Sequence, residues 1–165
     1  MKFQGITLDK PKPEVLVVPH NGVEVVFKAE CVTDYSEFDK LCPTPVPPKK
    51  LLAGGKEEVD TKDKDYLKEV DDWSDRRSNW MFLKSLQASD HVEWDIVDMQ
   101  DPSTWNKFDE EFISAGFVGP IIERIKMLVF KACGLDQSMI DEATERFLVG
   151  QAQESSNETS QDSEQ

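Results

Sequence analysis

The sequence contains few of the side chains that bind metal ions or act as nucleophiles. Its 165 residues include 2 histidines and 3 cysteines. Cys31, Cys42 and Cys133 lie far apart and form no C-x-x-C pair, so the sequence predicts neither a zinc site nor a disulfide framework. His20 falls in a predicted turn and His91 in a predicted connector, and neither has a second ligand at metal-binding spacing. We therefore predict no metal site and no cofactor.

Basic residues are scarce relative to acidic ones. The chain has 19 Lys and Arg against 33 Asp and Glu, a formal net charge of -14. Because nucleic-acid binding gains much of its affinity from counterions released at Lys and Arg, we predict no direct nucleic-acid binding. Chance carboxylate pairs are frequent at this acidity and do not identify a general acid and base. With no nucleophile and base pair and no complete phosphate loop, the sequence predicts a protein that is not an enzyme.

Long apolar segments are also missing. The most apolar run, residues 121–130, is interrupted by Glu123, Arg124 and Lys126, so the sequence predicts no transmembrane helix. The N-terminus shows a charge at Lys2 but no apolar segment of a signal peptide after it. We expect a soluble, cytoplasmic protein without membrane association.

The first clear structural signal is a β-hairpin. Residues 14–19 and 23–32 are rich in β-branched side chains and are separated by a short segment containing Asn21 and Gly22. Asn-Gly supplies the positive φ angles of a tight hairpin turn. Residues 5–8 are a candidate third strand at the edge, since an isolated two-stranded ribbon is only marginally stable.

The chain changes character after this hairpin. Residues 35–41 have the length of about two helical turns. Four prolines between positions 43 and 48 then prevent further helix and favour an extended conformation, and Gly54 and Gly55 follow. We predict a small β-containing unit with a short helix at residues 1–42 and a Pro- and Gly-rich linker at residues 43–61.

Four helices are predicted in the remainder of the chain. Apolar residues recur at helical spacing from about residue 62, which predicts one long helix that ends between residues 85 and 88. Three shorter helices follow, each with a start signal and a glycine stop signal. The stripe of the long helix comprises Tyr66, Val70, Trp73, Trp80 and Leu83. The start and stop signals are Asp101-Pro102 and Gly116 for the second helix, Gly119-Pro120 and Gly134 for the third, and Asp136 and Gly150 for the fourth.

These elements define the predicted fold class, α+β and mostly α. A small N-terminal β-hairpin unit precedes a compact four-helix bundle at residues 62–150, because short loops favour antiparallel neighbours. Residues 151–165 contain Gln, Ser, Asn, Thr, Asp and Glu with one alanine. Such a segment cannot bury enough apolar surface to offset the entropy of ordering, so we predict a disordered acidic tail.

The tryptophans are the candidate binding residues. Core packing is the ordinary role of an indole ring, but a bundle of this size has a limited interior. Trp94 lies between Glu93 and Asp95 and is difficult to bury completely. We predict that an aromatic patch faces a partner protein, with these candidate contacts: Trp80, Trp94, Trp105 and Phe117.

Several segments between residues 62 and 150 carry a family resemblance. They are Arg76-Arg77, Trp80-Met-Phe-Leu-Lys-Ser-Leu86, Val92-Glu-Trp-Asp-Ile-Val97, Asp101-Pro-Ser-Thr-Trp105, Ala115-Gly-Phe117 and Glu142-Ala-Thr-Glu-Arg-Phe-Leu148. Their order and overall pattern resemble the small tail assembly chaperones of long-tailed, siphovirus-type bacteriophages. The N-terminal hairpin, its proline-rich linker and the acidic tail depart from the simplest pattern of that family.

The resemblance implies a mostly helical, non-enzymatic protein of the host cytoplasm. Such a chaperone binds the phage tape measure protein, keeps it soluble and promotes assembly of the tail tube protein before leaving the finished tail. Many family members also have a longer form made by ribosomal frameshifting near the C-terminus, which would fall at residues 151–165. Homo-oligomerisation stays open at this point.

Two other functions remain as alternatives. One is a permanent minor tail or virion structural protein, which would use the predicted hairpin to extend a neighbouring sheet. The other is an acidic DNA mimic that inhibits a nuclease. The basic residues interspersed through the helices make a mimic the weaker alternative, because a mimic needs a surface of more nearly one sign.

Overall fold

The computed structural model describes residues 2–3, 6–7, 11–51, 55–90, 92–138, 140–142 and 144–146. Within these ranges the fold mixes helices and strands, and helical residues outnumber strand residues. The predicted mixture of α and β structure is therefore confirmed. His91, the predicted helix end at Gly150 and the predicted acidic tail at residues 151–165 lie outside the described residues.

The described strands pair in three antiparallel ribbons of two strands each. Two short strands near the N-terminus form the first pair, so Ile6–Thr7 pairs with Lys2–Phe3 and adds no third strand to the main hairpin. The main hairpin is the second pair, and a ribbon within the predicted linker is the third. The strands are β1 (Lys2–Phe3), β2 (Ile6–Thr7), β3 (Glu14–His20), β4 (Val23–Ala29), β5 (Lys49–Leu51) and β6 (Glu57–Val59).

The hairpin formed by β3 and β4 confirms the main strand prediction. Asn21 and Gly22 adopt φ angles of 48° and 81°, as a two-residue hairpin turn of this type requires. Alternate residues point to opposite faces of the ribbon. The inner face buries Val18, Phe27 and Ala29, and the outer face exposes Val15, Val17 and Val26.

The predicted linker contains the ribbon of β5 and β6, which the sequence analysis did not predict. Lys49 pairs with Glu57 at 2.9 Å and Lys50 with Asp60 at 3.3 Å. The backbone N–H of Asp60 also donates to the carbonyl of Pro48 at 2.7 Å. Complementary charges and backbone bonds thus favour strand pairing in a segment whose composition resembles a flexible connector.

Helix α2 (Lys64–Leu86) confirms the predicted long helix. It begins after Asp63, whose side chain accepts hydrogen bonds from the backbone N–H groups of Asp65 and Tyr66. The shorter α1 (Ser36–Leu41) confirms the helix predicted at residues 35–41. Burial increases along the predicted stripe of α2: Tyr66, Val70 and Trp73 are half-buried, and Trp80 and Leu83 are fully buried.

Helix α3 (Phe108–Ser114) begins later than the predicted start at Asp101-Pro102. The Asp101 carboxylate accepts hydrogen bonds from the N–H and hydroxyl of Ser103. The Thr104 hydroxyl bonds the backbone of Asp98. These local bonds hold a turn, which a single 3₁₀ turn at Trp105–Lys107 connects to α3. The helix ends before Gly116 as predicted, with a φ of 89° at that residue.

Helix α4 (Gly119–Ala132) confirms the helix predicted from Gly119-Pro120. Gly134 follows it with a φ of 67°, the predicted left-handed stop. Helical residues resume at 137–138, 140–142 and 144–146. The Asp136 carboxylate accepts from the N–H of Ser138 at 3.1 Å, consistent with the predicted cap. None of the helices in the described ranges is long and apolar enough to span a membrane.

The hairpin and the helices contribute to the same hydrophobic core. Phe27 of β4 lies 6.0 Å from Phe112 of α3, measured between ring centroids. The Ser89 hydroxyl, just beyond α2, bonds both the N–H and the carbonyl of Lys28 at 2.8 Å. The hairpin is thus held by apolar and polar contacts to the helices. The proposed division of the chain at residues 42, 61 and 150 remains a prediction.

Candidate functional site

Two of the four candidate binding residues have no accessible surface. Trp80 and Trp105 are both 0 % exposed. The ring of Phe38 lies 5.8 Å from that of Trp80 and 6.0 Å from that of Trp105. The indole N–H of Trp105 donates to the carbonyl of Asp98 at 3.0 Å. A side chain without accessible surface cannot contact a partner in this conformation. Trp80 and Trp105 therefore pack in the hydrophobic core.

The other two candidates, Trp94 and Phe117, line one open cleft. Both are half-buried, and the cleft has a volume of about 390 Å³. Phe112 lies between them, with its ring 5.4 Å from that of Trp94 and 5.9 Å from that of Phe117. The structure therefore brings together the connector after α2 and the loop after α3, which are separated along the chain. The apolar lining residues are Val25, Phe27, Val92, Trp94, Ile96, Phe112, Ala115 and Phe117.

Glu111 fixes the connector wall of this cleft. Residues 92–97 form no helix or strand. The Glu111 carboxylate accepts three backbone N–H groups from them, those of Ile96 and Val97 at 2.7 Å and that of Asp95 at 2.8 Å. Hydrogen bonds to an ionised acceptor are stronger than neutral ones. This carboxylate therefore orders the backbone of residues 95–97, which has no strand partner in the described part of the chain.

His20 fixes the opposite side of the site. Its ring stacks on that of Phe117 with a centroid separation of 4.5 Å. Its Nε2 lies 3.0 Å from the carbonyl oxygen of Ala115, which can only accept, so a hydrogen bond forms there when Nε2 carries the proton. Gly116 passes so close that a Cβ at this position would lie 3.3 Å from the His20 ring. The tip of the hairpin is thereby attached to the loop between α3 and α4.

The rim of the cleft is acidic. Glu93, Asp95 and Glu111 are among the residues that line it, and the described lining residues include no Lys or Arg. Glu93 and Asp95 are exposed. The site therefore presents an apolar floor beside negative charge, a combination that suits recognition of a partner with apolar and basic side chains.

The cysteines do not form part of this cleft. Burial raises the pKa of the Cys31 thiol, and the neighbouring Cys133 raises it further. Burial also raises the pKa of the Cys42 thiol. A raised pKa favours the protonated thiol over the nucleophilic thiolate. Within the described part of the chain, no group of three or more His, Cys, Asp or Glu side chains is placed to hold a metal ion.

Sequence reasoning did not identify several lining residues, among them Val25, Phe27 and Ile96. The alternation along β4 indicates that Val25 and Phe27 share a face, but alternation cannot indicate that this face meets α3. Glu111 had no distinguishing signal either, since it lies in a run of acidic residues at the start of a helix. Comparisons with protein-family models, curated proteins and solved structures found no match to this chain.

Proposed function

We propose that the chain is a tail assembly chaperone of a long-tailed bacteriophage. In this role it binds an apolar segment of the tape measure protein, keeps that protein soluble in the host cytoplasm and promotes assembly of the tail tube protein. It is not an enzyme and requires no cofactor. The single observation that carries the proposal is the open apolar cleft between Trp94 and Phe117.

Two segments of the family resemblance support this choice of surface. Residues 92–97 and residues 115–117 belong to the pattern shared with tail assembly chaperones, and both contribute to the walls of the cleft. A long apolar partner needs its exposed patches covered, and an apolar cleft on an acidic protein can cover them without promoting aggregation. The formal net charge of -14 suits such a role.

The finer features of the fold are part of the same proposal. We include a compact four-helix bundle made from α2, α3, α4 and the helical residues between 137 and 146. The contacts of α4 with α2 and with α3 support this arrangement. We also include a disordered acidic tail at residues 151–165, which the composition of that segment supports.

A co-purification experiment tests the proposal. The affinity-tagged chain is co-expressed with the tape measure protein of its own genome, and the complex is isolated by size-exclusion chromatography and identified by mass spectrometry. We expect co-elution, and we expect the tape measure protein to be insoluble without this chain. A tape measure protein that stays insoluble while this chain elutes alone would contradict the proposed function.

A matched pair of isoleucine variants tests the cleft itself. Ile96 lines the cleft and is 47 % exposed, and Ile113 is 64 % exposed and does not line it. We expect Ile96→Ser to reduce capture of the tape measure protein about tenfold, corresponding to roughly 1.4 kcal/mol of lost apolar contact. We expect Ile113→Ser to leave capture unchanged. Equal capture by both variants would place the binding surface elsewhere.

One observation favours a second function, a permanent minor tail or virion structural protein. Within the described residues β3 and β4 pair only with each other, and the outer edge of such a two-stranded ribbon can extend the sheet of a neighbouring protein. Mass spectrometry of purified phage particles separates the two functions. A structural component is present in the particles, and a chaperone is absent.

A further inference from the structure

The charge around the cleft restricts what can bind in it. Glu93 and Asp95 stand on the exposed rim beside the ring of Trp94, and no Lys or Arg lines the cleft within the part of the chain that the structure describes. A purely apolar segment would gain no attraction from these carboxylates, and an acidic segment would be repelled. A segment that combines apolar and basic side chains complements both parts of the surface.

Three consecutive backbone N–H groups of the connector wall are not available to an added strand. The N–H groups of Asp95, Ile96 and Val97 already donate to the Glu111 carboxylate. Strand addition depends on free main-chain donors and acceptors along an edge. The occupied N–H groups of residues 95–97 thus favour recognition through side chains, as when a helix lies in a groove.

We infer that the cleft binds an amphipathic helix whose bulky apolar stripe is flanked by Lys or Arg. The apolar stripe inserts between Trp94 and Phe117 over the floor formed by Phe112. The flanking basic side chains lie along the rim and reach Glu93 and Asp95, because long cationic side chains can cover apolar surface while their charged ends stay in water. The cleft volume of about 390 Å³ is near the lower limit of ligand pockets, which suits a few inserted side chains and not an entire helix. This inference rests on the proposed function only for the identity of the partner.

Designed peptides test this chemistry directly. The first probe is a fluorescein-labelled helical peptide of about 18 residues with Leu and Phe at the i, i+3, i+4 and i+7 positions and Lys on both sides of the stripe. The second replaces every Lys with Glu, and the third replaces Leu and Phe with Ser. Fluorescence anisotropy measures binding to the full chain. We expect the Lys peptide to bind about tenfold or more tightly than the Glu peptide and the Ser peptide to bind no more than weakly.

Variants then locate the charge effect. In the double variant Glu93→Lys/Asp95→Lys, we expect the preference for the Lys peptide to disappear or reverse. The matched control is Glu69→Lys/Asp71→Lys on α2, which makes the same change in net charge at exposed positions away from the cleft. If both double variants weaken binding of the Lys peptide equally, the attraction comes from the overall charge of the protein, and the inference is overturned.

The outcomes separate this inference from the proposed function. Tape measure capture that is insensitive to Glu93→Lys/Asp95→Lys, together with equal binding of the Lys and Glu peptides, overturns the inference and leaves the chaperone role intact. Selective binding of the Lys peptide without capture of the tape measure protein supports the chemistry of the cleft and contradicts the chaperone role. Added salt should reduce the difference between the peptides, since the rim charges are exposed.

Discussion

Removing the Glu111 carboxylate tests most directly whether its hydrogen bonds hold the connector wall of the cleft. In Glu111→Gln, one of the two carboxylate oxygens becomes an NH₂ group. The remaining oxygen can still accept the N–H groups of Ile96 and Val97, which share Oε1 in the native structure. The NH₂ group then faces the N–H of Asp95, which donates to Oε2 in the native structure. One donor loses its acceptor, and two exchange a charged acceptor for a neutral one.

The size of the effect follows from these three bonds. A hydrogen bond to a charged group contributes about 1.5–3 kcal/mol, and one between neutral groups about 0.5–1.5 kcal/mol. Asp95 and Ile96 are exposed, so water replaces much of what their N–H groups lose. Val97 is buried, and its N–H keeps the glutamine oxygen. We expect a loss of about 1–2 kcal/mol in the free energy of unfolding and a fall of about 3–7 °C in melting temperature for a chain of this size.

Glu110→Gln is the matched control for this variant. Glu110 is the preceding residue on α3 and is exposed, and its side chain makes no hydrogen bond or ion pair within the described part of the chain. Both variants remove one negative charge. Urea unfolding measures their stability, and amide hydrogen exchange measured by NMR reports on residues 95–97. Equal stability of the two variants, with unchanged exchange at residues 95–97, would refute the assigned role of Glu111.

Two further predictions concern the packing of other elements. Lys84 donates a hydrogen bond to Glu37, which lowers the pKa of that carboxyl. Glu37→Gln should therefore reduce the free energy of unfolding by less than about 1 kcal/mol above about pH 5, and this loss should disappear as the pH falls through the lowered pKa. Urea unfolding at a series of pH values measures it. Gly116→Ala should lower the free energy of unfolding by about 1–2 kcal/mol more than Gly134→Ala does. Both residues have positive φ, but only at Gly116 would the added Cβ press against His20. Equal unfolding free energies of the two variants would contradict this contact.

The sequence predicted those elements whose signals are local. Asn21-Gly22 predicted the hairpin turn because only the conformation of two adjacent residues is involved. Gly134 predicted the end of α4 for a similar reason. The start of α3 was wrong because Asp101 can cap either a helix or a turn. The Thr104 hydroxyl on the Asp98 backbone favours the turn.

The candidate site was predictable only in part because it depends on contacts between distant segments. Trp94 was a candidate because its acidic neighbours make full burial costly, and it lies at the cleft. Trp80 and Trp105 carried no such local signal, and whether an indole ring is buried depends on what packs against it. The stacking of His20 on Phe117 joins residues far apart in sequence. No pattern within either segment indicates that the hairpin tip reaches the loop after α3.

The way the cleft is assembled links its stability to its binding. The floor belongs to the core, since Phe27 and Phe112 are buried, but the connector wall depends on one carboxylate. Loss of that carboxylate should open residues 95–97 without unfolding the core, because local segments with few buried contacts open at lower free energy than the whole protein. A partner that binds only when residues 95–97 are ordered then has a lower apparent affinity, in proportion to the fraction of molecules in which they are ordered. By the same linkage, a bound partner stabilises the wall. The connector therefore presents an ordered surface without regular secondary structure, because the Glu111 carboxylate holds its backbone.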